Sequence, residues 1–183
     1  MRDIPKETIL QAAEGDLDAF EEIYKASSGL VYNTALRITA SKEDAEDVTQ
    51  EVFIKVHRSL KNFRFRSSLK TWIYRIAANT AINKYKKRKR EKMRTVEYDD
   101  KIETEYAAEN AEKELYRSDN EKLIGSVLNM LNPEQRACIV LRSIEGLSYE
   151  EIAKTLGINI NTVRTRLKRA RERILERFGK EGD

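Results

Sequence analysis

The chain has 183 residues, with 35 lysines and arginines against 31 acidic residues, which gives a formal net charge of +4 at pH 7. A hydrophobic content of 40% is sufficient for a core, and only two prolines and seven glycines favour a mostly helical chain of one or two domains. The single cysteine, Cys138, excludes an internal disulfide and a cysteine-based metal cluster. No apolar stretch has the length of a signal peptide or a membrane span, so the sequence predicts a cytoplasmic protein.

The N-terminal part carries helical periodicity in three successive segments. A short helix is predicted over about 8–13 and a longer one over about 17–38. Ser41 and Asp44 have the spacing of a capping box, which predicts a third helix that begins there and ends near Leu60. Its buried stripe is predicted to comprise Ala45, Val48, Val52, Val56 and Leu60.

Acidic and amide side chains are predicted on the outer face of this third helix. Asp44, Asp47, Gln50 and Glu51 all lie outside the apolar stripe. A metal site is one interpretation of such a cluster, but the only histidine, His57, is too far along the helix to join it. The pattern therefore favours a solvated or partner-binding face, with no metal and no cofactor.

A basic and aromatic loop at 61–68 leads into a fourth helix, predicted from Leu69 to about Arg90. The predicted core stripe of this helix comprises Leu69, Trp72, Ile73, Ile76, Ala77 and Thr80. Beside it runs a polar ribbon, named here the strand ribbon, which consists of Arg75, Asn79, Asn83 and Lys86. Amides that bind base edges, aromatic rings that stack and cations that hold phosphates suit a single-stranded nucleic acid. An ordinary amphipathic helix is the alternative, and it leaves the ribbon unexplained.

The next segment changes sign in charge. Residues 84–94 carry eight Lys/Arg and one Glu, whereas residues 95–122 carry ten acidic and four basic residues. Residues 91–119 show no clear apolar period. The composition predicts a flexible acidic linker over 92–119, which joins two small helical domains at 1–91 and 120–183.

Helical periodicity resumes at about 119 and continues to Leu131. A restart is predicted at Asn132, with proline at the first helical position and Gln135 at the third. The helix that follows is expected to direct Cys138, Leu141 and Ile144 inward and to stop at Gly146.

The last segment has the pattern of a helix-turn-helix. Ser148 and Glu151 form a capping box, Gly157 suits a tight bend, and Asn159 is placed to cap a second helix. The apolar stripe of the second helix is predicted to comprise Val163, Leu167, Ala170, Ile174 and Phe178, with Asn161, Thr165, Lys168 and Arg169 facing away. A helix with such a basic outer face is typical of major-groove reading. The alternative is a core helix pair with a solvated charged face.

Four ordered blocks of sequence together resemble bacterial sigma factors. They are DAEDVTQEVFIKVHRSL (44–60), NFRFRSSLKTW (62–72), YRIAANTAINKYKKRKR (74–90) and LNPEQRACIVLRSIEGLSYEEIAKTLGININTVRTRLKRAR (131–171). Their order is similar to regions 2 and 4 of the extracytoplasmic-function (ECF) group. The resemblance covers nearly the whole chain, and it implies an all-α fold with a region 2 helical bundle and a region 4 helix-turn-helix.

This resemblance implies a promoter-specificity subunit that binds core RNA polymerase and promoter DNA, both as duplex and as single strand, and that has an anti-sigma factor as partner. The core-polymerase segment would comprise Asp47, Gln50 and Glu51. Capture of the −10 non-template strand would use Phe63, Arg64, Arg75, Asn79, Asn83 and Lys86. Reading of the −35 duplex would use Thr162, Arg164, Thr165, Lys168 and Arg169. The implied protein is not an enzyme and is not inserted in a membrane.

Two other classes of protein are alternatives to this interpretation. A two-domain regulator of the response-regulator type would bind duplex without polymerase, but it predicts a domain of alternating strands and helices in place of residues 1–91. A nuclease that used Asp44, Glu46 and Asp47 would need a second ligand group and a phosphate-binding loop, which the sequence does not offer.

Overall fold

The computed structural model describes residues 3–95 and 119–178. Within these ranges the chain forms helices and no strand, which confirms the predicted all-α class. The N-terminal unit contains α1 (Lys6–Glu14), α2 (Leu17–Thr39), α3 (Lys42–Ser59), a 3₁₀ turn (Leu60–Asn62) and α4 (Leu69–Thr95). The C-terminal unit contains α5 (Asp119–Asn129), α6 (Pro133–Ile139), a π-helical turn (Val140–Ile144), α7 (Tyr149–Leu156) and α8 (Ile160–Phe178).

The predicted caps set three helix starts, but the box at Ser41 is only half formed: Ser41 Oγ accepts from the Asp44 backbone N–H at 3.3 Å, while the Asp44 carboxylate binds Arg88 instead. Both Asn132 with Gln135 and Ser148 with Glu151 form reciprocal capping boxes, in which each side chain accepts a hydrogen bond from the backbone N–H of the other residue. These bonds satisfy amide groups that would otherwise have no partner at a helix start. The Glu151 carboxylate accepts from the Ser148 backbone, and this bond lowers the pKa of Glu151.

Two predictions about buried positions are wrong. Asp44 was expected on the outer face of α3, but it is only 6% exposed, because Arg88 of α4 lies against it and donates a 2.7 Å hydrogen bond to its carboxylate. Ile144 was expected to face inward but is 37% exposed. It ends the π-helical turn, whose i→i+5 hydrogen bonds rotate the chain less per residue than an α-helix and so displace the inward stripe.

The two helical units share one apolar core. Residues of α2, α3 and α4 lie in the same buried cluster as Ala137, Cys138, Leu141, Ile152 and Leu156 of the C-terminal unit. A smaller cluster within the C-terminal unit contains Leu128, Leu131, Val140 and Ala170. The sequence left the relative placement of the two units open, and the structure packs α6 and α7 against α2 and α4.

Helix α4 is therefore enclosed on more than one side. Its predicted stripe is largely buried, although Trp72 and Ile76 are only half-buried. Four further side chains are also buried: Tyr74, Ala78, Ala81 and Ile82. Their burial follows from the position of α4 between α2 and α3 on one side and the C-terminal unit on the other.

Residues 92–95 of the predicted linker continue α4, and Asp119 begins α5. The remainder of the predicted linker and the C-terminal residues 179–183 lie outside the described residues, as does the side chain of Phe178. Among the helices that the structure describes, none combines the length and the apolar character needed to cross a membrane.

Candidate nucleic-acid interface

Helices α7 and α8 form a helix-turn-helix, and the glycine between them has a left-handed backbone conformation. Gly157 adopts φ 65°, a conformation that costs little only for a residue without a Cβ. Asn159 Oδ1 then accepts a 2.8 Å hydrogen bond from the backbone N–H of Asn161, at the start of α8. On the inner side of α8, Val163, Leu167 and Ala170 are fully buried, as the periodicity predicts. This stripe fixes the rotation of α8 about its axis.

The opposite side of α8 is an open polar face, named here the groove face. It contains exposed Arg164, Thr165, Lys168 and Arg169, with Thr162 half-buried at its edge. Asn161 orients the first turn, because its Oδ1 accepts from Arg164 Nη1 at 2.9 Å and its carbonyl accepts from Thr165 Oγ1 at 2.9 Å. Lys168 lies 3.8 Å from Glu172. Guanidinium donors and hydroxyls on one exposed face can bind base edges or phosphates.

A second cationic group lies beside α8 and was not identified from the sequence. The Arg142 guanidinium lies 5.3 Å from the centre of the Tyr149 ring and donates a 2.9 Å hydrogen bond to the Leu147 carbonyl. Arg171 donates to the Tyr149 hydroxyl at 3.4 Å. These residues come from three separate elements, and helical periodicity within one element does not reveal such a group. Together they hold the start of α7 against α8.

The C-terminal unit contacts two positions of the strand ribbon of α4. Arg75, Asn83 and Lys86 are exposed, and Asn79 is half-buried. Asn79 Nδ2 donates a 3.2 Å hydrogen bond to the Thr155 carbonyl of α7, and Lys86 Nζ lies 2.8 Å from the Glu134 carboxylate of α6. All four residues of the strand ribbon thus lie on α4, and the C-terminal unit contacts Asn79 and Lys86.

Aromatic residues before α4 and in its first turn form a group of tilted rings beside a cavity of about 260 Å³. The Phe63 ring lies 4.8 Å from that of Phe65 and 5.2 Å from that of Trp72, centre to centre. Lys6 of α1 lies 5.1 Å from the Phe65 ring centre, and Phe65 adopts φ 53°, which is rare for a residue with a side chain. Arg64 is exposed. The part played by α1 was not predicted, because Lys6 is distant in the sequence from this loop.

The predicted core-polymerase residues are exposed on α3, and two of them have intramolecular partners. Asp47 accepts a 2.7 Å hydrogen bond from Lys84 of α4, and this bond raises the pKa of Lys84. Glu51 pairs with Lys55 at 2.7 Å, one turn further along α3, and Gln50 is exposed. The two carboxylates of this face therefore pair with lysine side chains that solvent also reaches.

The described residues contain no group of three or more His, Cys, Asp or Glu side chains that could hold a metal ion. Cys138 is fully buried, and this burial raises the pKa of its thiol to about 11. The thiol therefore stays protonated at neutral pH and serves as a buried packing group.

Two family models match this chain. The model of sigma-70 region 2 matches residues 23–91, and the model of sigma-70 region 4 matches residues 121–174. The matched segments contain α4 with its strand ribbon and α8 with its groove face.

Whole-chain relatives agree with these matches. The chain is 35% identical to "ECF RNA polymerase sigma factor SigE" of Mycolicibacterium smegmatis, over 97% of this chain and 70% of that protein. It is 37% identical to "ECF RNA polymerase sigma-E factor" of Escherichia coli K12, over 88% of this chain and 87% of that protein.

Solved structures share the fold. The sigma factor RpoE of Bartonella quintana, in complex with the anti-sigma factor NepR, matches with a TM-score of 0.66 at 26% identity, over 86% of this chain and 94% of that one. CnrH, in complex with the cytosolic domain of CnrY, matches in fold with a TM-score of 0.67 at 23% identity, over 98% of this chain and all of that one. The chain belongs to the ECF group of RNA polymerase sigma factors.

Proposed function

We propose that this sigma factor, a promoter-specificity subunit of bacterial RNA polymerase, divides promoter recognition between two separate surfaces. The groove face of α8 reads the −35 element as duplex, and the strand ribbon of α4 with the 62–68 loop captures the −10 non-template strand. The observation that carries this proposal is the presence of two polar, cationic surfaces on different helices, each within a segment that matches a sigma-70 region. We assign residues 1–91 and 120–183 to the two domains and 92–119 to the linker.

Duplex reading by α8 follows from its exposed donors. Arg164 has a forked guanidinium that fits the O6 and N7 acceptors of guanine, while Lys168 and Arg169 suit either a guanine edge or a phosphate. The hydroxyl groups of Thr162 and Thr165 can accept and donate hydrogen bonds to groups that lie close to the helix. The Asn161 bond to Arg164 pre-positions that guanidinium and so reduces the conformational entropy lost on binding.

Strand capture needs groups that offset the cost of unstacking a base, which is about a few kcal/mol. Asn79 and Asn83 supply amides for base edges, and the clustered rings around Phe63 supply an aromatic surface. The cations for phosphates are Arg64, Arg75 and Lys86. The cavity beside those rings is a suitable place for an extruded base, since Lys6 and Ser68 at its rim offer polar contacts. This surface thus offers a single strand hydrogen bonds, cations and aromatic rings, which are the contacts that single-strand binding uses.

Attachment to polymerase is assigned to the exposed carboxylate and amide face of α3, which contains Asp47, Gln50 and Glu51. Such a face fits a basic helical surface, since complementary charge favours encounter and register. An anti-sigma partner is proposed because the similar Bartonella quintana sigma factor is held by one. A cytoplasmic location follows from attachment to polymerase.

Run-off transcription tests this function. Purified core polymerase should produce promoter-dependent transcripts from a library of bacterial upstream regions only when this chain is added. A regulator that binds duplex without joining polymerase would shift the same DNA in gel assays yet would leave core polymerase inactive on every template. That result would replace the sigma assignment with the regulator alternative.

A further inference from the structure

Helix α1 contacts the 62–68 loop through the side chain of its first residue. Lys6 Nζ lies 5.1 Å from the centre of the Phe65 ring, within the range of a cation–π contact. A lysine at the first position of a helix is electrostatically unfavourable, because the N-terminal end of the helix dipole is positive. The contact with the ring offsets this cost, so the loop, and not α1 itself, explains why a cation suits this position.

The backbone of Lys6 belongs to a helix that is anchored in the core. Ile9, three residues later, is only 5% exposed, and both residues line the cavity beside the loop. Helix α1 also packs against the 3₁₀ turn Leu60–Asn62, which directly precedes Phe63. Lys6 therefore reaches the loop from a fixed element.

Phe65 adopts a backbone conformation that needs support from its surroundings. Its φ of 53° lies in the left-handed region, which a bulky residue rarely adopts and which persists only where neighbouring contacts determine it. The start of the loop has such a contact, since the backbone N–H of Phe63 donates a 2.9 Å hydrogen bond to the Leu60 carbonyl. Two residues further on, the Phe65 ring contacts both the Phe63 ring and Lys6.

We infer that Lys6 is a positioning residue for strand capture: through the Phe65 ring, it holds the 62–68 loop in the conformation that forms the aromatic group and its cavity. The link to strand capture rests on the function proposed above, whereas the positioning of the loop does not. A loop that is ordered before binding loses less conformational entropy when a strand arrives. Helix α1 lies outside the segment 23–91 that the region 2 model matches, yet it thereby takes part in −10 recognition.

Lys6→Met removes the cation and nearly preserves the length of the side chain. Its matched control is Lys42→Met, because Lys42 is likewise exposed and is the first residue of its own helix, α3. Both substitutions remove one positive charge from a helix N-terminus, so they differ in the contacts that Lys6 makes near the loop. Lys6→Arg keeps a cation beside the Phe65 ring and should behave as the parent does.

Trp72 reports on the loop in the free, full-length chain. It is the only tryptophan of the sequence, it is half-buried, and its ring centre lies 5.2 Å from that of Phe63. Acrylamide quenching of its fluorescence measures how well the aromatic group shields it. We expect the quenching constant to rise about twofold in Lys6→Met and to keep the parent value in Lys42→Met and Lys6→Arg. Unchanged quenching in Lys6→Met would overturn the positioning of the loop by Lys6.

Permanganate reactivity of −10 thymines measures strand capture by the polymerase holoenzyme, on a promoter selected by the run-off assay. We expect Lys6→Met to lower this reactivity about threefold relative to Lys42→Met. In a Phe65→Leu background the cation has no ring to hold, so Lys6→Met should cause little further loss. A full further loss in that background would show that Lys6 acts only through its polar contact at the cavity rim, which would overturn the positioning role.

The two measurements separate the inference from the function on which it rests. If quenching rises in Lys6→Met while thymine reactivity keeps the control value, the order of the loop is not needed for strand capture, and that part of the inference is refuted. Absence of promoter-dependent transcription with the parent chain would count against the proposed function alone. The quenching of Trp72 would still decide whether Lys6 holds the loop.

Discussion

The two predicted nucleic-acid surfaces differ in how they are built. Helix α8 buries one narrow stripe and leaves its opposite side to solvent, so that its charged residues lie where a simple helical pattern places them. Helix α4 is packed by α2 and α3 on one side and by α6 and α7 on another, and the C-terminal unit binds Asn79 and Lys86 of its strand ribbon. A surface on an isolated amphipathic face depends on that helix alone, whereas a surface on a central helix also depends on the neighbouring helices that contact it. The predictions below test this difference.

Loss of the buried cation should have the largest effect. Arg136→Met leaves the Ile38 and Leu131 carbonyls without their donor, so we expect the free energy of unfolding to fall by about 3 kcal/mol. Urea unfolding followed by circular dichroism measures this. Arg142→Met is the control, since Arg142 is exposed and donates to one carbonyl, and it should lose about 1 kcal/mol or less. Equal losses would show that Arg136 does not anchor the interface.

The open surface should respond to substitution without any change in domain packing. Arg164→Ala is expected to cost about 1–3 kcal/mol in −35 duplex affinity, with relaxed preference at one base pair, because a forked contact to guanine is lost. Competition binding against a library of single-base variants of the upstream element measures both effects. Lys154→Ala, an exposed cation on α7, is the control. A loss that is uniform across all sequences would reassign Arg164 to phosphate contact.

A third exposed face, on α3, should behave like the open surface. Glu51→Lys places a positive charge beside Lys55 on the face proposed to meet a basic polymerase surface, so core affinity should fall by about 1–2 kcal/mol, which is roughly fivefold to thirtyfold. Native-gel titration with core polymerase measures this loss. Glu21→Lys reverses a similarly exposed, lysine-paired carboxylate on α2 and serves as the control. Unchanged core affinity in Glu51→Lys would locate the polymerase interface elsewhere.

The strand ribbon should give the smallest change in the free chain at Asn79. Asn79→Ala removes one hydrogen bond from the strand-bound state and also removes the bond to Thr155 from the free chain, so the two losses largely cancel. Single-strand affinity of the free chain should therefore change less than twofold, whereas Asn83→Ala, which affects an exposed residue, should show the full loss of about 1 kcal/mol.

Within the polymerase holoenzyme, Asn79→Ala should impair promoter opening, because the captured strand loses an amide donor. Permanganate reactivity of −10 thymines measures opening, and binding to upstream duplex should be intact. Undiminished thymine reactivity would exclude Asn79 from strand capture.

The sequence by itself determined the structural features that depend only on residues close together in the chain. Capping boxes at Asn132 and Ser148, the left-handed turn at Gly157 and the apolar stripe of α8 all depend on residues within a few positions of each other. The structure confirms both boxes, the turn and the burial of Val163, Leu167 and Ala170, while Ile174 of the same stripe is half-buried. The outward direction of Arg164 and Lys168 follows from that stripe, since a helix with one buried side fixes the opposite side as well.

The tertiary structure decided which polar groups face one another across large sequence separations. Asp44 is buried because Arg88 lies against it, 44 residues later, and the Phe65 ring contacts Lys6 of α1. Asn79 donates to a carbonyl of α7, and the exposed Lys86 pairs with Glu134 of α6, both of which come from the C-terminal part of the chain. Periodicity identifies the apolar side of a helix, but it does not determine which neighbour covers the adjacent polar side. That choice depends on the packing of distant apolar stripes into one core, and here it brings α6 and α7 into contact with the strand ribbon of α4 while the groove face of α8 stays open.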